Sequence, residues 1–208
     1  MVIEEQNGNF AKPVLGVVPS TKALSIVGSS RNNGEREAED FYPTPPYAVE
    51  ELLKREVFSG NIWECACGEG DISEVFKNKG FEVISTDLIN RGYGEQLDFL
   101  QSDLVADNIV TNPPYKYAQE FCEKALCIIP NGMKVAMFLK LQFMEGKGRK
   151  NLFTKFPPKV IYVSSSRLLC AKNAEFEKMI AGGGSAVAYA WYVWQKGYNG
   201  TTELKWFN

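Results

Sequence analysis

The chain has 208 residues, 45% of them hydrophobic and 23% charged, with a formal net charge of −2. That length holds one domain with a core of its own, and the absence of histidine excludes the usual general base and most nucleophilic triads. Five cysteines without a CxxC pair favour neither a zinc cluster nor a disulfide framework, so no metal site is expected.

Residues 1–39 lack sustained periodicity and end in the polar run Ser29-Ser-Arg-Asn-Asn-Gly34, which reads as an N-terminal arm with one short strand near Leu24–Val27. The start, Met1-Val-Ile-Glu-Glu5, has neither a basic n-region nor an apolar h-region. No apolar run approaches a membrane span, so a cytoplasmic location and no membrane partner are expected. From Asp40 the pattern changes. Asp40-Phe-Tyr-Pro-Thr-Pro-Pro46 leads into Tyr47-Ala-Val-Glu-Glu-Leu-Leu53, apolar at 49, 52 and 53, which predicts a helix with Thr44 as N-cap and Pro45 in its first turn. Asn61–Cys65 reads as a buried strand, Ala66-Cys-Gly-Glu-Gly70 as a loop and Asp71–Lys77 as a helix. Phe81–Thr86 is the next strand and ends at Asp87. The third strand is expected around Ile109-Val-Thr111, since Pro113 and Pro114 cannot donate to a ladder and must lie beyond its end. Helix Ala118–Cys127, strand Lys134–Leu139, helix Lys147–Phe156 and strand Lys159–Val163 follow. Ala186–Gln195 and Thr202–Trp206, separated by Lys196-Gly-Tyr-Asn-Gly200, predict a C-terminal hairpin.

Strands alternating with helices point to a doubly wound α/β domain over residues 40–208 with a mainly parallel sheet, in which ligands bind at the carboxyl ends of strands where the order reverses. Gly68 and Gly70 let a ligand approach the backbone after the first strand, or simply make a tight turn. A dinucleotide fingerprint wants a further glycine where Ser73 stands, so pyrophosphate binding is disfavoured. Asp87 closes the next strand, where an acid commonly takes ribose hydroxyls or caps a helix. Charge is segregated: residues 35–111 hold 17 acidic against 6 basic residues, and residues 112–172 hold 3 against 11. Such asymmetry suits a basic face for a polyanion beside an acidic part that holds a cation.

Taken in order, Asp40–Pro46, Trp63-Glu-Cys-Ala-Cys-Gly-Glu-Gly70, Asp87, Asp98-Phe99 and Asn112-Pro-Pro-Tyr115 make the chain resemble the class I S-adenosylmethionine-dependent methyltransferases. Within them it resembles the small stand-alone enzymes of phages and prophages that methylate adenine N6 in DNA. The resemblance covers roughly residues 40–206 and implies a Rossmann-like, mainly parallel seven-stranded sheet. It implies S-adenosyl-L-methionine as cofactor and DNA, with the target adenine flipped out of the duplex, as partner. By the same resemblance Glu64, Ala66, Gly68 and Gly70 line the cofactor pocket, and Asp87, with Leu88 beside it, holds the ribose. Asp98 accepts from the cofactor's adenine amino group next to Phe99, while Tyr42 and Thr44 reach the methionine end. The Asn112 side-chain oxygen and the Pro113 carbonyl each accept one amine hydrogen, Pro113 and Pro114 stiffen the loop, and Tyr115 stacks on the base. Where the family has a second aromatic after a late strand, this chain has Ser164-Ser-Ser-Arg-Leu-Leu-Cys170, which leaves Arg167 or Phe143 as candidates for the other half of the clamp. Phe143 can equally be ordinary core. Lys140, Lys147, Arg149 and Lys150 are candidates for gripping phosphates. Alternative readings are methylation of RNA base amines or of a protein glutamine, and a non-catalytic cofactor- or DNA-binding module. There is no room for a separate target-recognition domain, so recognition is expected to be short or relaxed.

Overall fold

A computed structural model describes residues 42–166, 168 and 187–208. The arm over residues 1–39, the strand expected at 24–27, and Arg167 lie outside the described residues. The helix α1 covers Pro46–Leu53. The alternation then runs β1 (Ile62–Glu64), α2 (Asp71–Asn78), β2 (Val83–Asp87), β3 (Glu95–Gln96) and β4 (Asn108–Thr111). It continues with α3 (Ala118–Ile128), β5 (Lys134–Lys140), α4 (Lys147–Lys155), β6 (Val160–Ser164), β7 (Tyr189–Gln195) and β8 (Glu203–Phe207). Short 3-10 turns over Tyr115–Tyr117 and Leu141–Met144 precede α3 and α4.

Among the described residues the strands form one eight-stranded sheet in the order β3-β2-β1-β4-β5-β7-β6-β8. All neighbours pair in parallel except β7, which is antiparallel to both β5 and β6. The fold class expected from the alternation holds: a mostly parallel α/β sheet with an antiparallel strand near the C-terminus. Three details differ. The third strand is the two-residue, exposed Glu95–Gln96, whose polar residues carry no strand signal, so the Ile109 strand is the fourth. The sheet has eight strands among the described residues rather than seven. The expected C-terminal hairpin is not formed, because β6 lies between β7 and β8 and β8 pairs with β6 in parallel. Turn residues at 196–200 do reverse the chain, but both edges of β7 are already taken.

The core lies on both sides of the sheet. One cluster packs Trp63, Ile109, Met137, Tyr192 and Trp194 beneath α3 and α4, and the other packs Ile62, Val110, Phe138, Trp191 and Phe207 beneath α1 and α2. Three buried tryptophans each satisfy the indole N–H: Trp63 donates to Thr86 Oγ1 at 2.9 Å, Trp191 to the Ala48 carbonyl at 2.8 Å and Trp194 to the Phe156 carbonyl at 2.9 Å. The latter two bonds tie α1 and the end of α4 to the sheet, as a buried indole requires a partner. Asn108 fastens the amino ends of the central strands. Its buried side chain donates to the Ser59 and Asn61 carbonyls and accepts from the Lys134 N–H, at 2.7, 3.2 and 3.0 Å. Asn108→Ala strands the Ser59 carbonyl and the Lys134 N–H, while the Asn61 carbonyl keeps the Asn108 backbone N–H; it is expected to lower stability by about 2–4 kcal/mol, measured by urea unfolding, and a loss within experimental error of zero contradicts that role.

Candidate functional site

The strand order reverses between β1 and β4, whose carboxyl ends lie side by side in register Ile62↔Asn108 and Trp63↔Ile109. The glycine loop follows β1 and the Asn112–Tyr115 loop follows β4, so both emerge at the switch point where such sheets bind ligands. No helix long and apolar enough to cross a membrane occurs among the described residues.

Asn112 is the best-defined group there. Its Nδ2 donates to the Tyr42 carbonyl at 2.7 Å and to Thr44 Oγ1 at 3.0 Å. A carbonyl can only accept, so the atom facing Tyr42 must be the amide nitrogen, and the side-chain oxygen Oδ1 is turned the other way as an acceptor. Thr44 therefore does not cap α1. The helix begins at Pro46 behind an N-cap at Pro45 with no side-chain cap bond, because the Thr44 hydroxyl is engaged by a residue 68 positions later. Pro113 and Pro114 leave the ladder, and the Pro114 carbonyl accepts from the Tyr117 N–H at 2.9 Å, closing the turn that carries Tyr115 into α3. The Tyr115 ring lies 5.1 Å from that of Tyr42, at an interplanar angle of 33°, and 6.4 Å from that of Tyr189. Lys140, the last residue of β5, holds its ammonium 4.3 Å from the Tyr115 ring centre and 5.3 Å from that of Tyr42. That is within cation–π range of both rings. Tyr42, expected at the methionine end, thus also packs against the aromatic wall of the Asn112 loop.

Around the glycine loop, where the resemblance implies the cofactor, several carboxylates hold the protein's own backbone. Glu64, buried at the end of β1, accepts from the Ser73 N–H at 2.7 Å and from the Ser73 hydroxyl. Burial pushes its carboxyl well above the ordinary range, against the opposing pull of those Ser73 bonds. It acts as a latch between β1 and the first turn of α2. Asp87 accepts from the Gly68 N–H through one oxygen at 2.8 Å and from the Ile89 N–H through the other at 2.9 Å, so it fixes the glycine loop from the end of β2. Leu88 beside it is 45% exposed. Asp98 accepts from the Leu100 N–H at 2.9 Å, and Lys124 pins the same turn through the Leu100 and Ser102 carbonyls. Ala66 is half-buried against the core.

Four residues stand elsewhere than expected. The Phe99 ring is buried 5.1 Å from Trp63 and 4.8 Å from Phe121, so it packs the core and offers no ring face to a cofactor. Phe143 is buried edge-on against Phe153 and Tyr192 and does not face Tyr115 across a base. Arg149 donates to the Glu145 carbonyl at 2.5 Å and its guanidinium lies 5.1 Å from the Phe143 ring, so it braces its own loop instead of reaching out to phosphate. Gly70 adopts a left-handed φ of 95°, but the face a side chain would take is filled by Tyr93, whose ring would lie 2.5 Å from an added Cβ. Tyr93 donates to Glu74 at 2.6 Å and accepts from Lys77 at 2.7 Å, clasping α2. Residue type alone hides this role; only the flanking Gly92 and Gly94 hint that a ring is being folded back. A pocket of about 450 Å³ lined by Leu53, Phe58, Lys79 and Phe81 sits at the amino ends of β1 and β2, away from these loops.

No protein-family model and no curated protein sequence matches the chain. Solved structures do. A Pyrococcus horikoshii protein provisionally assigned as an RNA methyltransferase superposes with a TM-score of 0.56 at 16% identity, over 84% of this chain and 95% of its own. A Listeria monocytogenes protein, provisionally a class I S-adenosylmethionine-dependent methyltransferase, gives 0.53 at 13% identity over 90% of this chain and 70% of its own. The M protein of the type I restriction enzyme EcoKI gives 0.52 at 15% identity over 76% of this chain and 44% of its own. The fold is that of the class I methyltransferases. At these identities the likeness carries the architecture and not the activity.

Two measurements check this side of the site. Because the Glu64 value is raised in the folded state, its contribution to stability is present at low pH and lost as pH rises through the folded value. Wild type is therefore expected to lose stability relative to Glu64→Gln as pH rises above the ordinary carboxylate range; unfolding curves whose difference stays constant with pH contradict the buried latch. Gly70→Ala is expected to cost at least about 1–2 kcal/mol from the left-handed backbone alone, and Tyr93→Ala in the same chain to recover the part due to the collision; a double variant no better than Gly70→Ala, measured by thermal unfolding, contradicts that packing.

Proposed function

We propose that the protein transfers a methyl group from S-adenosyl-L-methionine to an exocyclic amine of a nucleic-acid base, and specifically to N6 of adenine in DNA. The observation that carries this reading is the Asn112 amide. Its nitrogen is committed to the Tyr42 carbonyl and the Thr44 hydroxyl, and its oxygen remains as a fixed acceptor beside the glycine loop.

The residues at the carboxyl ends of β1 to β3 suit such a cofactor. The Asp87 and Asp98 carboxylates can accept further bonds from hydroxyl and amino groups, since each oxygen has more than one acceptor site. Leu88 offers exposed apolar surface beside Asp87. When bound, the cofactor supplies an electrophilic methyl on a sulfonium. Everything else falls to the chain. An adenine amine is a poor nucleophile because its lone pair is delocalised into the ring. Asn112 Oδ1 and the Pro113 carbonyl accept one N6 hydrogen each, which draws the nitrogen toward tetrahedral geometry and localises the lone pair for in-line attack. Because the amide cannot rotate without breaking two bonds, the acceptor is preorganised and costs no reorientation during transfer. The methylated amine then sheds one proton, which neutral carbonyl acceptors do not retain and which leaves to solvent. Tyr115 offers the base a stacking surface once it is out of the helix.

DNA as acceptor rests on the resemblance carried by Asn112-Pro-Pro-Tyr115, and RNA base amines are the second reading, since the likeness to the EcoKI M protein and to the Pyrococcus horikoshii protein carries the fold alone. Transfer of labelled methyl from the cofactor to DNA, RNA and protein acceptors separates them. Label is expected in DNA as N6-methyladenine, with a loss of about 100-fold or more in kcat for Asn112→Ala and Asn112→Asp. Thr44→Val, which removes one of the two partners of the amide nitrogen, is expected to cost less, about tenfold. Absence of label in DNA overturns the acceptor assignment, and undiminished transfer by Asn112→Ala overturns the mechanism.

A further inference from the structure

β8 is an outer strand of the sheet among the described residues, and its open edge can be read residue by residue. The Glu203 N–H donates to the Lys159 carbonyl at 3.1 Å, and the Phe207 carbonyl accepts from the Ser165 N–H at 3.2 Å, both toward β6. Backbone polar groups alternate in direction along a strand, so Lys205 also turns its own toward β6, while Leu204 and Trp206 turn theirs outward. Such an outward row is a template for a further strand. The side chains alternate as well. Leu204 and Trp206, 45% and 62% exposed, share the face of their partners Ile161 and Val163. Glu203 and Lys205 stand exposed on the other face, paired with each other at 2.5 Å.

The sequence of this edge is complementary to itself. A second copy that meets it about a two-fold axis perpendicular to the sheet runs antiparallel, and directly opposed residues then lie on the same face. With the axis at Leu204, Glu203 of each copy faces Lys205 of the other, Leu204 faces its counterpart, and Trp206 faces Thr202. Trp206 also lies diagonally across from the other copy's Leu204, within reach of a large ring. The neighbouring registers fail on charge. An axis at Glu203 sets Glu203 against Glu203, and an axis at Lys205 sets Lys205 against Lys205; like charges directly opposite are destabilising. Only the Leu204 register joins the apolar strip on one face to two opposite-charge pairs on the other.

We propose that β8 pairs with β8 of a second copy of this chain, antiparallel and centred on Leu204, so that the sheet runs on across a two-fold dimer. Leu204 and Trp206 supply the outward hydrogen-bonding groups, and the in-strand pair of Glu203 with Lys205 is exchanged for two pairs between copies. The paired run from 202 to 206 is about 17 Å long. It buries less than the roughly 1,200 Å² at which stable interfaces begin, which gives a weak dimer with a Kd of about 1–100 µM. β8 is parallel to β4 and antiparallel to its own copy, so the two Asn112 loops lie at opposite ends of the joined sheet and each stays open. The pairing is independent of which acceptor that site takes.

Sedimentation of the full chain across that concentration range is expected to show reversible exchange between monomer and dimer. Trp63, Trp191 and Trp194 are at most 1% exposed, so acrylamide quenching of intrinsic fluorescence reports on Trp206 and is expected to fall as the dimer forms. Leu204→Pro removes an outward N–H, which an edge strand tolerates, and with it both central bonds between copies; dimerisation is expected to weaken about 100-fold. Glu203→Lys and Lys205→Glu each set like charges opposite one another, and each alone is expected to dimerise about tenfold more weakly. Mixed in equal amounts the two variants regain opposite charges at both positions, and pairing is expected to return to wild-type strength. A wild-type chain that stays monomeric throughout the range overturns the proposal, as do single charge variants that dimerise as tightly as wild type or a mixture no tighter than either alone. A monomer whose Trp206 is closed to acrylamide overturns it in favour of a cover from the chain itself, and closure that requires an added oligonucleotide overturns it in favour of nucleic acid.

Discussion

The two hydrogen bonds from the Asn112 amide nitrogen to the Tyr42 carbonyl and the Thr44 hydroxyl join parts of the chain that are 70 and 68 residues apart. They fix three things together. The segment before α1 is held against the end of β4, the amide is given one orientation, and the Tyr42 ring is brought to the Tyr115 ring with the Lys140 ammonium over both. A buried or half-buried amide must place its donors and acceptors somewhere. Here the donors are used by the fold and one acceptor is left, which is the group the proposed amine chemistry needs in a chain without histidine.

The glycine loop shows the same economy with opposite sign. Glu64 and Asp87, which the resemblance assigned to the cofactor, bond first to the start of α2 and to the glycine loop. Glu64 is consumed by this. Its burial and its bonds to Ser73 make it part of the scaffold between β1 and α2. Asp87 keeps acceptor capacity, so it can shape the loop and still meet a hydroxyl. Tyr93 closes the far side by packing on Gly70, and the loop shape therefore depends on a residue 23 positions away that no motif flags.

Much of this was legible in the sequence because it rests on local rules. The alternation of strand and helix, the stop of β4 before Pro113 and the loop-to-helix step at Asp71 all follow from propensity and proline chemistry, and they bring the glycine and Asn112 loops to one end of the sheet. What stayed hidden depends on partners distant in sequence. Thr44 has the chemistry of an N-cap, and only the folded chain reveals that Asn112 competes for its hydroxyl. The turn at 196–200 reverses the chain as turn residues should, yet pairing is decided by which strand edges are free. The unbroken apolar run Tyr189-Ala-Trp-Tyr-Val-Trp194, buried throughout in the fold, was the available sign that β7 sits between two strands and does not lie in an open hairpin. Phe99 and Phe143 show the limit of residue type: an aromatic beside a motif packs inward as readily as toward a ligand, and neighbours on other strands decide which.

The orientation of the Asn112 amide is tested most directly by its own side-chain NH2 resonance in 15N-labelled protein, assigned through its loss in Asn112→Asp. If the nitrogen is held by Tyr42 and Thr44, the resonance is expected to exchange slowly with solvent and to shift in Thr44→Val. A rapidly exchanging resonance that does not respond to Thr44→Val would contradict the amide latch, and with it the fixed acceptor on which the proposed chemistry depends.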